Sequence, residues 1–144
     1  AEQIGVMQHG KLQQWGSAYE LYHQPANRFV ADFVGHGALL KGEVLADGKV
    51  YTALGVFAQT QSTFAPGVAL DLLVRPDDIV HDDQSGVTAK VVGKSFRGSH
   101  ILYSLELEGA EQVYCLAPSH HDHQLQSRIG IKLELDHLVL FARL

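Results

Sequence analysis

The run Ser119-His120-His121-Asp122-His123 gathers more ligating and titratable side chains than any other stretch of the chain. On extended backbone His121 and His123 point the same way, the arrangement that zinc ligation by neighbouring imidazoles requires. A cupin-type barrel built on such a His-x-His also supplies a glutamate within a few residues. Here Glu134 is the next glutamate, well beyond that reach. The other reading of the run is a polar loop between strands, with His120, His121 and His123 solvated or bonded to neighbours. A metal-binding small β-barrel enzyme that uses the 120–123 cluster is therefore the alternative against which any other function is weighed.

Three further groups invite chemistry. Gly93-Lys94-Ser95 has the ending of a phosphate-cradling loop, yet no glycine precedes it at the spacing such a loop needs and no helix pattern follows. In Val74-Arg75-Pro76-Asp77-Asp78-Ile79, Arg75 can fork onto a carboxylate, Pro76 stops a strand, and Asp77 or Asp78 can cap the next turn, a structural use before a ligand contact. Cys115 has no neighbouring base and no helix start to activate it, so it reads as packed. No residue qualifies as catalytic or cofactor-binding.

The elements that position these groups change character near Gly35–Gly37. Before that point the pattern is partly helical. Ile4, Val6 and Met7 form a strand, His9-Gly10 a hairpin turn, and Lys11 to Trp15 the return. Ser17 with Glu20 makes a capping box for a short helix carrying Ala18, Leu21 and Tyr22 on one face, which Pro25 ends. Asn27 caps a second helix with Phe29, Val30, Phe33 and Val34 on one side, and Gly35 is placed to be its left-handed terminator. Trp15 reads either as packed under these helices or as part of an exposed surface.

From Ala38 onward the period is two. Leu39–Leu45 and Lys49–Tyr51 flank the turn Asp47-Gly48, and another strand is expected over Gly55–Thr60. Val68, Leu70, Leu72 and Val74 share one face, with Asp71 and Arg75 on the other. Val87, Ala89 and Val91 lead through Gly98-Ser99 into Ile101, Tyr103, Leu105 and Leu107, the strongest hairpin pattern in the chain. Val113 and Cys115, then Ile131, Leu133 and Leu135, then Leu138–Phe141 complete the series. The fold class is mainly β: an OB-fold-like small β-barrel preceded by a β-hairpin and two short helices, closed so that sheet edges disappear. The organisation reads as 1–16 hairpin, 17–37 helical linker and 38–144 barrel domain.

Composition narrows the partners. The 144 residues are 46% hydrophobic and 19% charged, ordinary for a globular chain, and 16 acidic against 11 basic residues give a net charge of −5. With no Lys or Arg run, nucleic acid is a poor expectation, and with no stretch near the roughly 20 apolar residues of a spanning helix, so is direct membrane insertion. One cysteine and no leader signature suit a reducing, cytoplasmic setting.

Gln14-x-Gly16, Glu20-Leu21-Tyr22, Pro25-Ala26-Asn27 and Phe29-Val30-Ala31-x-Phe33-x-Gly35 occur in an order that resembles the closing segment of the ATP-binding subunits of ABC importers. Ile4, Val6, Met7 and Gly10 are similar to the last strand and hairpin of such an ATPase domain. The remainder, with its Arg75-Pro76-Asp77-x-Ile79 and Phe96-Arg97-Gly98, resembles the regulatory extension called the transport-associated OB-fold. The resemblance implies a fragment with a regulatory and dimer-forming role. ATP and magnesium would then be cofactors of the parent subunit and not of this stretch, and the partners a second ATPase subunit and a membrane permease at the inner face of the cell membrane. Its Walker, signature and switch motifs would lie before Ala1. The His-rich run and Asp136-His137-Leu138 are similar to features of the ferric-iron branch. Trp15, Phe29, Phe33 and Arg97 are the partner-contact candidates. The stripe of the second helix, Trp15, and the strand of Ile4 and Val6 hold more apolar surface than a short segment buries alone. A twofold homodimer is therefore expected, either barrel to barrel or by exchange of the N-terminal segment about the hinge Gly35-His36-Gly37.

Overall fold

The computed structural model describes residues 2–35, 37–59, 64–135 and 138–143. The chain divides into two compact units, 1–37 and 38–144. Among the described residues no helix is long and apolar enough to cross a membrane.

The first unit is a hairpin and two short helices. Strands β1 (Ile4–Gln8) and β2 (Lys11–Gly16) pair antiparallel from Ile4 opposite Gly16 to Gln8 opposite Lys11. The turn works because both its residues adopt positive φ, His9 at 50° and Gly10 at 77°. Helix α1 (Ala18–His23) opens with the full capping box: the Glu20 amide donates to Ser17 Oγ and the Ser17 amide to Glu20 Oε1. Helix α2 (Arg28–Val34) opens on Asn27, whose Oδ1 accepts from the Val30 amide at 3.0 Å. Two glutamines lock the hairpin to the joint between the helices. Gln14 Oε1 accepts from the Ala26 amide, its Nε2 donates to the Gln24 carbonyl, and Asn27 Nδ2 donates to Gln13 Oε1. Val6, Leu21 and Val30 form the small core this produces.

One expectation is corrected here, and one of two readings is set aside. Gly35 ends α2 in extended conformation, φ 168° and ψ 175°, and not in the left-handed region. Any residue could adopt that backbone, so glycine is not demanded there by dihedrals. Trp15 is not packed under the helices. It is 62% exposed and lies across Gly5 on the hairpin, where an added Cβ would come within 2.8 Å of the indole.

Among its described residues the second unit has ten strands in two five-stranded antiparallel sheets around one core. The strands are β3 (Ala38–Val44), β4 (Val50–Thr52), β5 (Gly55–Phe57), β6 (Ala69–Val74), β7 (Ile79–His81), β8 (Thr88–Phe96), β9 (His100–Glu106), β10 (Gln112–Pro118), β11 (Arg128–Leu133) and β12 (Leu140–Ala142). One sheet runs β10-β9-β8-β11-β7, the other β12-β6-β3-β4-β5. The first sheet curls until its end strands meet, since the Cys115 thiol on β10 donates to the Ile79 carbonyl of β7 at 3.3 Å. The OB-like small barrel is thus realised as a mainly β fold with a contiguous core that includes Leu40, Leu72, Val91, Tyr103, Leu105 and Ile131.

Local chemistry sets the turns. Asp47 Oδ1 accepts from the Lys49 amide while Gly48 takes φ 86° between β3 and β4. Gly98 at φ 78° turns β8 into β9, and alternation along β9 buries Ile101, Tyr103 and Leu105 while Leu102, Ser104 and Glu106 stay partly covered. The strand expected over Gly55–Thr60 ends at Phe57, and Thr60 lies outside the described residues. Strand β6 departs from the half-buried pattern: besides Leu70, Leu72 and Val74, Leu73 and Arg75 are buried on the opposite side. A central strand flanked by β12 and β3 can be covered on both faces, which alternation alone does not reveal.

Candidate functional site

Arg75 sits at the end of β6 with only 2% exposure, although the pattern had put it on an open face. Pro76–Asp78 forms a 3-10 turn, which Asp78 closes: the Arg75 amide donates to Asp78 Oδ2 at 2.8 Å and the Asp78 amide donates to the Arg75 carbonyl. The Asp78 carbonyl in turn accepts from the Glu134 amide. Asp78, not Asp77, is therefore the cap, and this corner joins β6, β7 and the end of β11. Its use is structural.

The histidine run folds as a turn and loop after β10, so it lacks the extended backbone that would align His121 with His123. His120 and His121 pack edge to face, ring centroids 4.4 Å apart. His123 turns inward onto Tyr103 and onto His81 of β7, whose ring lies 4.5 Å away and nearly perpendicular. Among the described residues no group of three or more His, Cys, Asp or Glu side chains is arranged to hold a metal ion. The ligand set imagined for His120, His121 and His123 is thus not assembled. The Tyr103 hydroxyl ties the loop down, donating to the His121 carbonyl at 2.7 Å and accepting from the His123 amide at 2.9 Å. Burial lowers the pKa of His123, with the positive charge that His81 can carry adding to the effect. His81, on a strand far upstream, is the partner that sequence spacing missed.

Gly93-Lys94-Ser95 lies within β8 beside a register shift between Val91 and Gly93, and Lys94 pairs with Asp122 of the loop. This is strand backbone with a cross-loop ion pair, without the helix start that a phosphate cradle needs. Cys115 is buried, and desolvation pushes its thiol up to about 11, which leaves it a poor nucleophile.

An open groove of about 550 Å³ with charged walls lies on the β3–β4 side of the barrel. Lys41, Glu43, Tyr51, Glu108, Glu111 and Arg143 line it. The fold already uses several of these. Glu111 Oε2 accepts from the Lys41 amide, while Arg143 donates to the Gly42 and Leu70 carbonyls and faces Asp71 at 3.4 Å. Of the partner-contact candidates, Phe33 is 67% exposed and stacks on the partly buried Phe29, centroids 5.8 Å apart. Arg97, beside the exposed Phe96, is itself exposed and bonds through Nε to Ser95 Oγ.

Comparison with known proteins bears on this barrel directly. Residues 72–141 match the family model described as the TOBE domain. The chain is 32% identical over 123 residues to the spermidine/putrescine import ATP-binding protein PotA of Onion yellows phytoplasma, covering 84% of this chain and 29% of that protein. It is 31% identical over 138 residues to PotA of Clostridium acetobutylicum, covering 94% of this chain and 37% of that one. This chain thus spans about a third of the length of these relatives. Among solved structures, the cytoplasmic molybdate-binding protein ModG superposes with a TM-score of 0.61 at 13% identity, over 73% of this chain and 95% of that one, a likeness of fold. The barrel unit thus has an OB-like fold similar to that of ModG, and residues 72–141 within it match the TOBE domain.

Proposed function

We propose that this chain is the regulatory, dimer-forming part of the ATP-binding subunit of an ABC importer. The observation that carries the reading is the extent of the likeness: import ATP-binding proteins match 84% and 94% of the chain, so the hairpin-and-helix joint and the barrel recur together. In this reading hydrolysis, with ATP and magnesium, belongs to the rest of the subunit. The partners are a second ATPase subunit and a permease, at the cytoplasmic face of the membrane.

The cargo we assign is a polyamine, because the relatives are named for spermidine and putrescine import. The ferric-iron assignment finds no support in those relatives. It rested on the His-rich run, which forms a loop without a ligand set, and on Asp136-His137-Leu138, of which Asp136 and His137 lie outside the described residues. The exposed Trp15 and Phe33 supply apolar surface for a twofold partner. The proposed hinge includes His36, which also lies outside the described residues.

Two measurements test the proposal. Calorimetry on residues 1–144 is expected to show no ATP binding, and micromolar affinity would overturn the division of labour. Light scattering is expected to give twice the 15.8 kDa chain mass. A copy cut before Gly37 stays dimeric if barrels pair and becomes monomeric if N-terminal segments exchange. A parent chain that is monomeric at about 100 μM, far above micromolar affinity, sinks both forms of the dimer.

A further inference from the structure

His123 packs a titratable ring against Tyr103 and His81. Its Nε2 is buried without a hydrogen-bond partner, while its backbone amide is held by the Tyr103 hydroxyl. In the neutral ring one nitrogen can stay a bare acceptor, a modest cost. In the imidazolium both nitrogens must donate, so a charged donor would be left without an acceptor.

The charged and titratable groups around it do not make up the loss. From β7 and the turn after it come His81, edge to face with His123, and Asp83, whose carboxylate is held by His81 Nε2 at 2.7 Å. From β9 comes Tyr103, bound at its hydroxyl to the His121 carbonyl and the His123 amide. From the loop itself come His121, packed on His120, and Asp122, which is already paired with Lys94 of β8. A proton arriving on His123 therefore meets an aromatic wall, a second imidazole, and two carboxylates engaged elsewhere.

We propose that the His81–His123 pair under the Tyr103 hydroxyl is a pH-responsive latch, in which proton uptake at His123 releases loop 119–126 from the β8–β9 hairpin. Besides the Tyr103 pair and the Lys94–Asp122 ion pair, the closed loop is held to the hairpin by the Ser119 amide, which donates to the Ser99 carbonyl, and the Gln126 amide, which donates to the Val91 carbonyl. Opening hydrates the ring, which regains its ordinary basicity. The sign follows: the open form binds the proton more tightly, so closure is complete above the ordinary histidine value of 6.5 and weakens as pH falls below it. One coupled proton changes the opening equilibrium at most about tenfold per pH unit.

Hydrogen exchange of peptide 119–127 in the whole chain, corrected for the intrinsic pH dependence of exchange, reads this directly. Protection is expected to fall as pH drops below about 6.5, by at most about tenfold per pH unit, while amides of β8 and β9 keep theirs. The fall should coincide with titration of the His123 ring followed by NMR. His123→Gln is expected to flatten the profile, and His81→Gln to move the His123 midpoint upward. Protection in the unaltered chain that ignores pH, or a fall that persists in His123→Gln, overturns the latch. So does stoichiometric zinc broadening both ring signals at neutral pH, which would make the pair a metal site. If His123→Gln fails to fold, the unaltered chain still decides through the match between ring titration and loop protection.

Discussion

Gly130, in the middle of β11, faces the backbone of the turn after β7. A Cβ built there falls onto the Asp82 carbonyl oxygen, closer than any van der Waals contact, with the Asp82 carbonyl carbon at 3.1 Å and Asp83 Cα at 3.4 Å. Backbone cannot rotate aside as a side-chain tip can, so Gly130→Ala must push the turn outward by about an ångström, an overpacking strain of about 1–3 kcal/mol. The displacement also strains the bond from the Asp82 amide to the Gly130 carbonyl, 2.8 Å in the native form, for about another 1 kcal/mol. The total, about 2–4 kcal/mol, should lower the urea midpoint by about 1–2 M at an m-value of about 2 kcal/mol/M. Gly86→Ala is the control. Nothing lies within 4 Å of its Cβ, so it should be neutral or stabilising by less than about 1 kcal/mol. Chemical labelling of buried Cys115 across the urea series reports the barrel specifically, because the other unit has no cysteine. A Gly130→Ala midpoint equal to that of Gly86→Ala would refute the steric argument and with it the close approach of β11 to residues 82–83.

Two further outcomes are expected. Leu105→Ala, at a fully buried position, should cost about 2–5 kcal/mol, whereas Leu133→Ala, which is only partly buried, should cost clearly less; equal midpoint shifts in urea would contradict the burial difference. Cys115 should resist thiol reagents in the folded barrel. Because its folded value is raised from 9.0 to about 11, the neutral thiol favours folding fully below pH 9, and that stability is lost as pH rises from 9 toward 11. Cys115→Ala should remove this alkaline component from the pH–stability curve.

What could be read from the sequence was what local rules govern. The Ser17–Glu20 box, the Asn27 cap, the His9-Gly10 turn and the alternation of β9 are each settled within a few residues, and each stands as the pattern implied. The misses share a long-range cause. Trp15 lies over Gly5 because the hairpin register brings them opposite, and Arg75 is buried because strands on either side of β6 come from distant sequence. His81 meets His123 only because β7 and the 119–126 loop flank the same curled sheet. Periodicity reports which face a residue occupies and is silent on what that face meets. Gln13 and Gln14 belong with these misses, since their bonds to Gln24, Ala26 and Asn27 cross from the hairpin to the joint between the helices.

The pairing of β12 with β6 joins Leu140 to Leu72, and Arg143 reaches back to the Gly42 carbonyl. On a ribosome, β8, β9 and β10 can zip as successive hairpins soon after they emerge, because each pairs with its neighbour in sequence. In the sheet that holds β3 through β6 the hairpins β3-β4-β5 can form the same way, but one of its edges remains a bare strand until β12 has been made. During synthesis β6 therefore presents an unpaired, strongly apolar edge, the kind of surface that recruits chaperones or a neighbouring nascent chain. Clustered rare codons between β6 and β12 would prolong that exposure.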